Sequence, residues 1–194
     1  RSSGGNVSSH VVKDSNRGVT KEIYPNATTA EGTSSLIDAF LTDGFSINNT
    51  ANEHYNYNNG LYASWQWKAN GGTTASNTDG DQTSTVQANT TAGFSIATYS
   101  GDGSGNFTVG HGLGVTPKIV FYKKTSGSAS WMVQSTLFPN RNQLVLNGTD
   151  ALLNYSSNAN IDNWSSSVFT VGTNGDMNAS GGEYIAYCFA EKTG

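Results

Sequence analysis

The sequence is poor in charge, in aliphatic bulk and in cysteine. Only 12% of its 194 residues are charged, the net charge is −4, and its ten Lys and Arg are spread thinly. Without a basic stripe the chain cannot neutralise a run of phosphates, so neither nucleic acid nor an anionic membrane surface is an expected partner. No apolar run approaches the ~20 residues that cross a bilayer, and no charged-then-apolar signal opens the chain, so membrane insertion is not expected. Cys188 is the only cysteine, which forbids an internal disulfide and removes the usual staple of a small secreted domain. Either the protein is made in a reducing compartment or its stability comes from assembly. Because the chain starts at Arg1 rather than Met, it reads as a fragment or processed product.

Leu, Ile, Val and Phe together number 36, a thin supply for a core, but 8 Phe, 9 Tyr and 4 Trp provide the missing bulk. Gly, Asn, Ser and Thr make up almost half the chain. Turn chemistry on that scale excludes a helical bundle or an α/β nucleotide fold and leaves many short strands joined by turns. No stretch keeps the i, i+3, i+4 apolar rhythm of a stable helix, although Leu36 to Leu41 is read as one turn.

An internal repeat organises the rest. The segments DGFSINNTANEHYNYNNGLYASWQWK (43–68) and SVFTVGTNGDMNASGGEYIAYCFA (167–190) share one plan: a strand at Phe45 or Phe169, a Gly/Asn-rich connection, then an aromatic strand. Tyr62, Trp65 and Trp67 align with Tyr184, Tyr187 and Phe189, and IYPNATTA (23–30) aligns with LVLNGTDA (144–151). Trp65 and Trp67 share a strand parity and are expected to be buried, as are Tyr187 and Phe189. The alternation in GFSIATYSG (93–101), the run after Pro117 to Lys123, and the segment Trp131 to Gln134 read as further strands. These patterns divide the chain into a partial repeat at 1–70, a linker with one short strand anchored at Val86 at 71–92, and a complete repeat at 93–194.

Candidate chemistry is sparse. His10, His54 and His111 have no local acid partner and read as structural or solvated residues, and Cys188 lies between Tyr187 and Phe189 where a buried thiol is inert. The triplets Gly101-x-Gly103-x-Gly105 and Gly110-x-Gly112-x-Gly114 are followed by strands rather than a helix N-terminus, so they read as turns and not phosphate loops. Asp79-Gly-Asp81 and the loop at Asp102 lack the spaced ligand run of a calcium loop. Nine Asn-x-Ser/Thr sequons occur against roughly five expected from composition, an excess small enough to read as compositional. One candidate contact site remains: Tyr55 and Tyr57 could stack on a sugar while Asn56 and Asn58 bond its hydroxyls. No catalytic residue, metal or cofactor is assigned.

GFSIATYSGDGS, TVGHGLGVTPKIVFYKK, NGTDA, SSSVFTVGT and GGEYIAYCFAE, with DSNRGVTKEIYPNATTAEG, LTDGFSI and LYASWQWKANGG upstream, resemble a repeated β-domain of uncharacterised function found in virion and tail-fibre-like proteins of marine bacteriophages. The resemblance implies an all-β chain of tandem jelly-roll or concanavalin-like β-sandwich modules, the first incomplete at its N-terminus. It also implies a non-enzymatic virion component, made in the host bacterial cytoplasm and placed in a tail fibre, spike or appendage. The expected partners are copies of itself (a trimer in a fibre), other virion proteins and host surface polysaccharide. A lectin-like receptor-recognition module and a capsid decoration protein are the alternatives.

Overall fold

The computed structural model describes residues 8–48, 54–70, 72–139, 142–154 and 163–192. The chain is mostly β, and its centre is a seven-stranded antiparallel sheet. Its members are β5 (Ala75–Asn77), β6 (Ser84–Asn89), β7 (Phe94–Ser100), β9 (Ile119–Lys124), β10 (Met132–Ser135), β11 (Gln143–Val145) and β13 (Glu183–Phe189), in the order β11-β10-β9-β13-β7-β6-β5. Three two-stranded sheets accompany it: β1 (Lys21–Glu22) with β2 (Gly32–Thr33), β3 (Ile37–Phe40) with β4 (Phe45–Ile47), and β8 (Phe107–Gly110) with β12 (Val168–Val171). One helical turn, α1 (Gly175–Asn178), is capped by the Asn174 side chain, which accepts from the Asp176 amide.

The aromatic strand β13 is central because it can be buried on both faces. It pairs with β7 through all seven residues on one side and with β9 on the other. Alternation sends Tyr184, Ala186 and Cys188 to one face, where they join Ala97, Tyr99, Val120, Tyr122 and Met132. That face is covered by Phe107, Val109, Phe169 and Val171 of β8 and β12, with Tyr99 stacked on Tyr184 at 5.3 Å and Tyr122 edge-on to Phe169 at 5.5 Å. The other face carries Ile185 and Tyr187 with Phe94, Ile96 and Trp131, and is covered by Ile23 and Ala69.

Residues from the first seventy thus share a core with the sheet of the later half. Their polar side chains do the same: Asn16 Nδ2 donates to the Thr85 and Ile96 carbonyls at 3.0 and 3.1 Å, and Ser15 Oγ donates to Gln87 Oε1 at 2.6 Å. Trp131 Nε1 donates to the Tyr24 carbonyl at 2.9 Å.

Four local expectations are corrected. The segment read as a linker with one short strand at Val86 supplies two sheet strands, β5 and β6; Val86 and Ala88 pack on one face, while on the other the Gln87 side-chain oxygen accepts from Ser15 Oγ. Residues 36–41, read as a helical turn, hold β3. Strands form at Phe45 (β4, paired with β3) and at Phe169 (β12, paired with β8), but Tyr62 to Ala69 carries no strand where the aligned Tyr184 to Phe189 is central. Trp65 and Trp67, expected in the core, are 70% and 58% exposed. Without strand neighbours, their shared parity does not select a buried side.

Candidate functional site

The densest polar chemistry lies where residues 13–31 meet the sheet. Six charged residues fall within positions 13–31, about a third of that stretch in a chain that is 12% charged. Arg17 bonds Asp14 Oδ2 through Nε at 2.8 Å and Nη2 at 2.5 Å, and reaches Glu31 Oε2 through Nη1 at 2.9 Å. Tyr187 Oη donates to the same Asp14 oxygen at 2.7 Å. Beside this group, Lys13 Nζ donates to the Val19 and Ser34 carbonyls at 3.0 and 2.8 Å and lies 3.5 Å from Glu22 Oε2. Burial opposes the charge on Glu22, but hydrogen bonds from Tyr24 and Tyr55, with Lys13 nearby, outweigh it and hold the carboxyl below its usual range. Burial in turn pushes the Lys13 ammonium below its usual value.

This network closes on itself, so its role is to fasten residues 13–31 to β13. Lys123 extends the fastening. Its buried Nζ donates to the carbonyls of Thr28, Lys124 and Ala129 at 3.2, 3.0 and 3.0 Å, and burial lowers its pKa to about 8 against the opposing pull of Asp176. Sequence reading passed over these residues, although the cluster of charge at 13–31 was the visible signal.

Of the four residues expected to contact a sugar, Tyr55 is turned inwards, with its hydroxyl donating to Glu22 Oε2 at 2.6 Å. Its ring is not available for stacking. Asn56, Tyr57 and Asn58 are exposed on a loop closed by the Tyr57 amide, which donates to Tyr62 Oη at 2.8 Å. The structure therefore separates the two tyrosines.

The remaining motifs are engaged locally. His111 is buried against Phe169; its Nδ1 accepts from the Leu113 amide at 3.1 Å and its Nε2 lies 3.3 Å from the Ser165 carbonyl. Burial lowers its pKa, and the contacts suit a neutral ring carrying its proton on Nε2. His54 lies 6.0 Å from the Tyr24 ring and 6.4 Å from Tyr55, while the exposed His10 is held through its amide to Asn26 Oδ1 at 3.0 Å. In the loop at Gly101 to Gly105, the amides of Asp102 and Gly103 donate to Asn178 Oδ1 at 3.0 and 3.1 Å, so they are not aimed at a phosphate. Asp81 accepts from Thr108 and Asp102 from Ser104, contacts that hold both carboxyls below their usual range. Burial lifts the Cys188 thiol to about 12. Among the described residues, no group of three or more His, Cys, Asp and Glu could hold a metal. No helix of those residues is long and apolar enough to cross a membrane.

What the fold does present is an aromatic surface at one end of β9 and β13. Phe189 packs on Phe94 at 4.9 Å and on Phe121 at 5.9 Å, and Trp67 lies across this group, 5.8 Å from Phe189 and 6.4 Å from Phe94. Beside Phe189 runs an open groove of about 370 Å³, whose lining includes Leu137 and the ion pair Lys118–Glu191, 3.7 Å apart. The groove floor is rigid: the Lys118 amide donates to the Phe189 carbonyl at 2.7 Å, and its own carbonyl accepts from Ser135 Oγ at 2.7 Å.

Fold and surface together define a mostly-β protein with a large antiparallel sheet, an internally satisfied polar clamp and outward-facing aromatics. The chain belongs to the family described as Domain of unknown function (DUF7483), whose model matches residues 3–194. No curated protein and no solved structure matches it.

Proposed function

We propose that this chain is a non-enzymatic structural component of a bacteriophage virion, part of a tail fibre, spike or appendage that contacts the host surface, and that it works as a homo-oligomer. In this reading the β8–β12 pair over the main sheet is a jelly-roll-type sandwich, and a place in a fibre makes a trimer the expected oligomer. The observation that carries the assembly is the β3–β4 ribbon. Among the described residues it belongs to no larger sheet, and no residue of 35–48 is buried although the stretch includes Leu36, Ile37, Phe40, Leu41, Phe45 and Ile47. A two-stranded ribbon is marginal alone in water, and contiguous exposed apolar side chains mark an interface. A neighbouring copy would cover this ribbon and complete it.

Light scattering on the full chain tests the assembly. The expected result is a mass of at least two chains, reduced to one by the triple substitution Phe40→Ser, Leu41→Ser and Ile47→Ser, with circular dichroism unchanged because the ribbon lies outside the main sheet. A stable wild-type monomer would overturn it. Immunogold labelling of virions then separates a tail component from a capsid decoration protein.

A further inference from the structure

We infer that Asn59 is a site of spontaneous deamidation, left open to that reaction by the fold while Asn147 and Asn174 are protected from it, and that the conversion adds a negative charge to the loop at 56–60. The inference goes beyond the structural reading above and depends on neither its assembly part nor its host-contact part.

The chemistry needs an asparagine followed by a glycine, whose missing Cβ leaves its backbone nitrogen unobstructed. The Gly nitrogen attacks the Asn Cγ, the Cγ–Nδ2 bond breaks, and ammonia leaves with the proton that the Gly nitrogen gives up. Water then opens the cyclic imide at either carbonyl. The products are aspartate, or isoaspartate with the chain rerouted through Cγ, and each carries one negative charge that the asparagine lacked. Four such pairs occur: Asn59-Gly60, Asn70-Gly71, Asn147-Gly148 and Asn174-Gly175. The second runs out of the described residues at Gly71.

For the attack the Asn side chain must swing over the following nitrogen, so the partners of its amide decide the outcome. Asn147 Oδ1 accepts from the Trp131 amide at 2.6 Å, and Trp131 is buried. Releasing that bond would strand a buried N–H. Asn174 Oδ1 accepts from the Asp176 amide at 2.9 Å as the cap of α1, and the Gly175 carbonyl accepts from Tyr184 Oη at 2.8 Å. That pair is held on both sides of the reacting bond.

Asn59 is held by its backbone alone. It is exposed, and its side chain bonds no other residue among those described. It stands third in the turn Tyr57–Gly60, which the Gly60 amide closes by donating to the Tyr57 carbonyl at 2.9 Å. Its φ of 62° is left-handed, as at no other described residue except glycines. A turn with that conformation at its third position takes Gly or Asn there, which accounts for the residue without any role for its amide. The attack requires the Gly60 amide to let go of Tyr57. Tyr57, Asn58 and Asn59 are all exposed, so water replaces that bond and the turn opens at little cost.

Peptide mapping by mass spectrometry of the full chain, incubated natively and in guanidinium at mildly alkaline pH, tests this. In the native chain Asn59 is expected to deamidate at least tenfold faster than Asn147 and Asn174. In guanidinium the three rates are expected to converge to within a few-fold, because only local sequence then acts. Isoaspartate is expected beside aspartate at position 59, resolved by chromatography against synthetic peptides, since direct hydrolysis of the side chain gives aspartate alone. A native excess below tenfold over either of the other two would overturn the inference. So would the same excess persisting in guanidinium, which would assign it to sequence and not to the fold, or a product free of isoaspartate.

Discussion

Tyr187 donates its hydroxyl to Asp14 across 2.7 Å, and through Asp14 it holds Arg17, so the segment 13–31 is tied to the centre of the sheet by residues 173 positions apart. The two ends of this link are not equivalent. Tyr187→Phe removes one donor from a carboxylate that keeps its Arg17 bonds and is expected to cost about 1–2 kcal/mol. Asp14→Ala leaves a buried guanidinium with only Glu31 as an acid partner among the described residues and is expected to cost about 3–5 kcal/mol. Urea denaturation of the two variants checks the order.

Lys123 gives stability an unusual dependence on pH. Its pKa falls from an ordinary 10.5 to about 8 on folding, so between those values the folded chain binds fewer protons than the unfolded one. Stability then rises with pH. Lys13 is lowered too and acts in the same direction. Cys188 opposes them from its ordinary value of 9.0 upward, since the folded thiol stays protonated to about 12, and the buried tyrosines oppose them from about 10. The urea midpoint is expected to climb between pH 7.5 and 9 and then turn down. In Lys123→Met the climb should flatten; an unchanged slope would show that Lys123 is not its source.

Among the tryptophans, Trp131 and Trp65 mark the extremes of burial. Trp131 is buried, stacks on Tyr187 at 6.2 Å and bonds the Tyr24 carbonyl. Trp131→Ala is expected to cost about 3–5 kcal/mol. Trp65→Ala, at an exposed position off any strand, should fall within about 0.5 kcal/mol of wild type. Thermal melts of both variants give the comparison.

Cys188 is fully buried in β13 with its pKa raised to about 12. Thiolate is the reactive form. At neutral pH, Ellman's reagent is therefore expected to label the native chain only as fast as it opens, with rapid stoichiometric reaction in 6 M guanidinium. Fast labelling without denaturant would contradict the burial.

The strands with a hydrophobic period of two were legible in the sequence. The alternation of Phe94, Ile96 and Thr98 located β7, the run after Pro117 located β9, and the aromatic strand with Tyr187 and Phe189 on one side located β13. Of β6 only a short strand at Val86 was legible, because its other buried face carries Gln87, whose side-chain oxygen accepts from Ser15, 72 residues away. The clamp escaped for the same reason: Asp14 looks like a turn residue until Tyr187 is brought to it. Trp65 and Trp67 misled in the opposite sense. Aromatic alternation ordinarily signals a buried strand, but here it belongs to a segment that lies along the outside, and of the two only Trp67 finds a ring to rest on.

Strand β13 sits between β7 and β9 yet follows both in the chain. During synthesis the ribosome therefore delivers two half-sheets, each with an open edge, well before the strand that joins them emerges. Until then neither half can zip shut, and both expose unpaired backbone to other nascent chains. Crowded polysomes translating this message would favour a chaperone that holds those edges apart, and a stop codon ahead of Glu183 would yield tangled aggregate in place of a shortened fold.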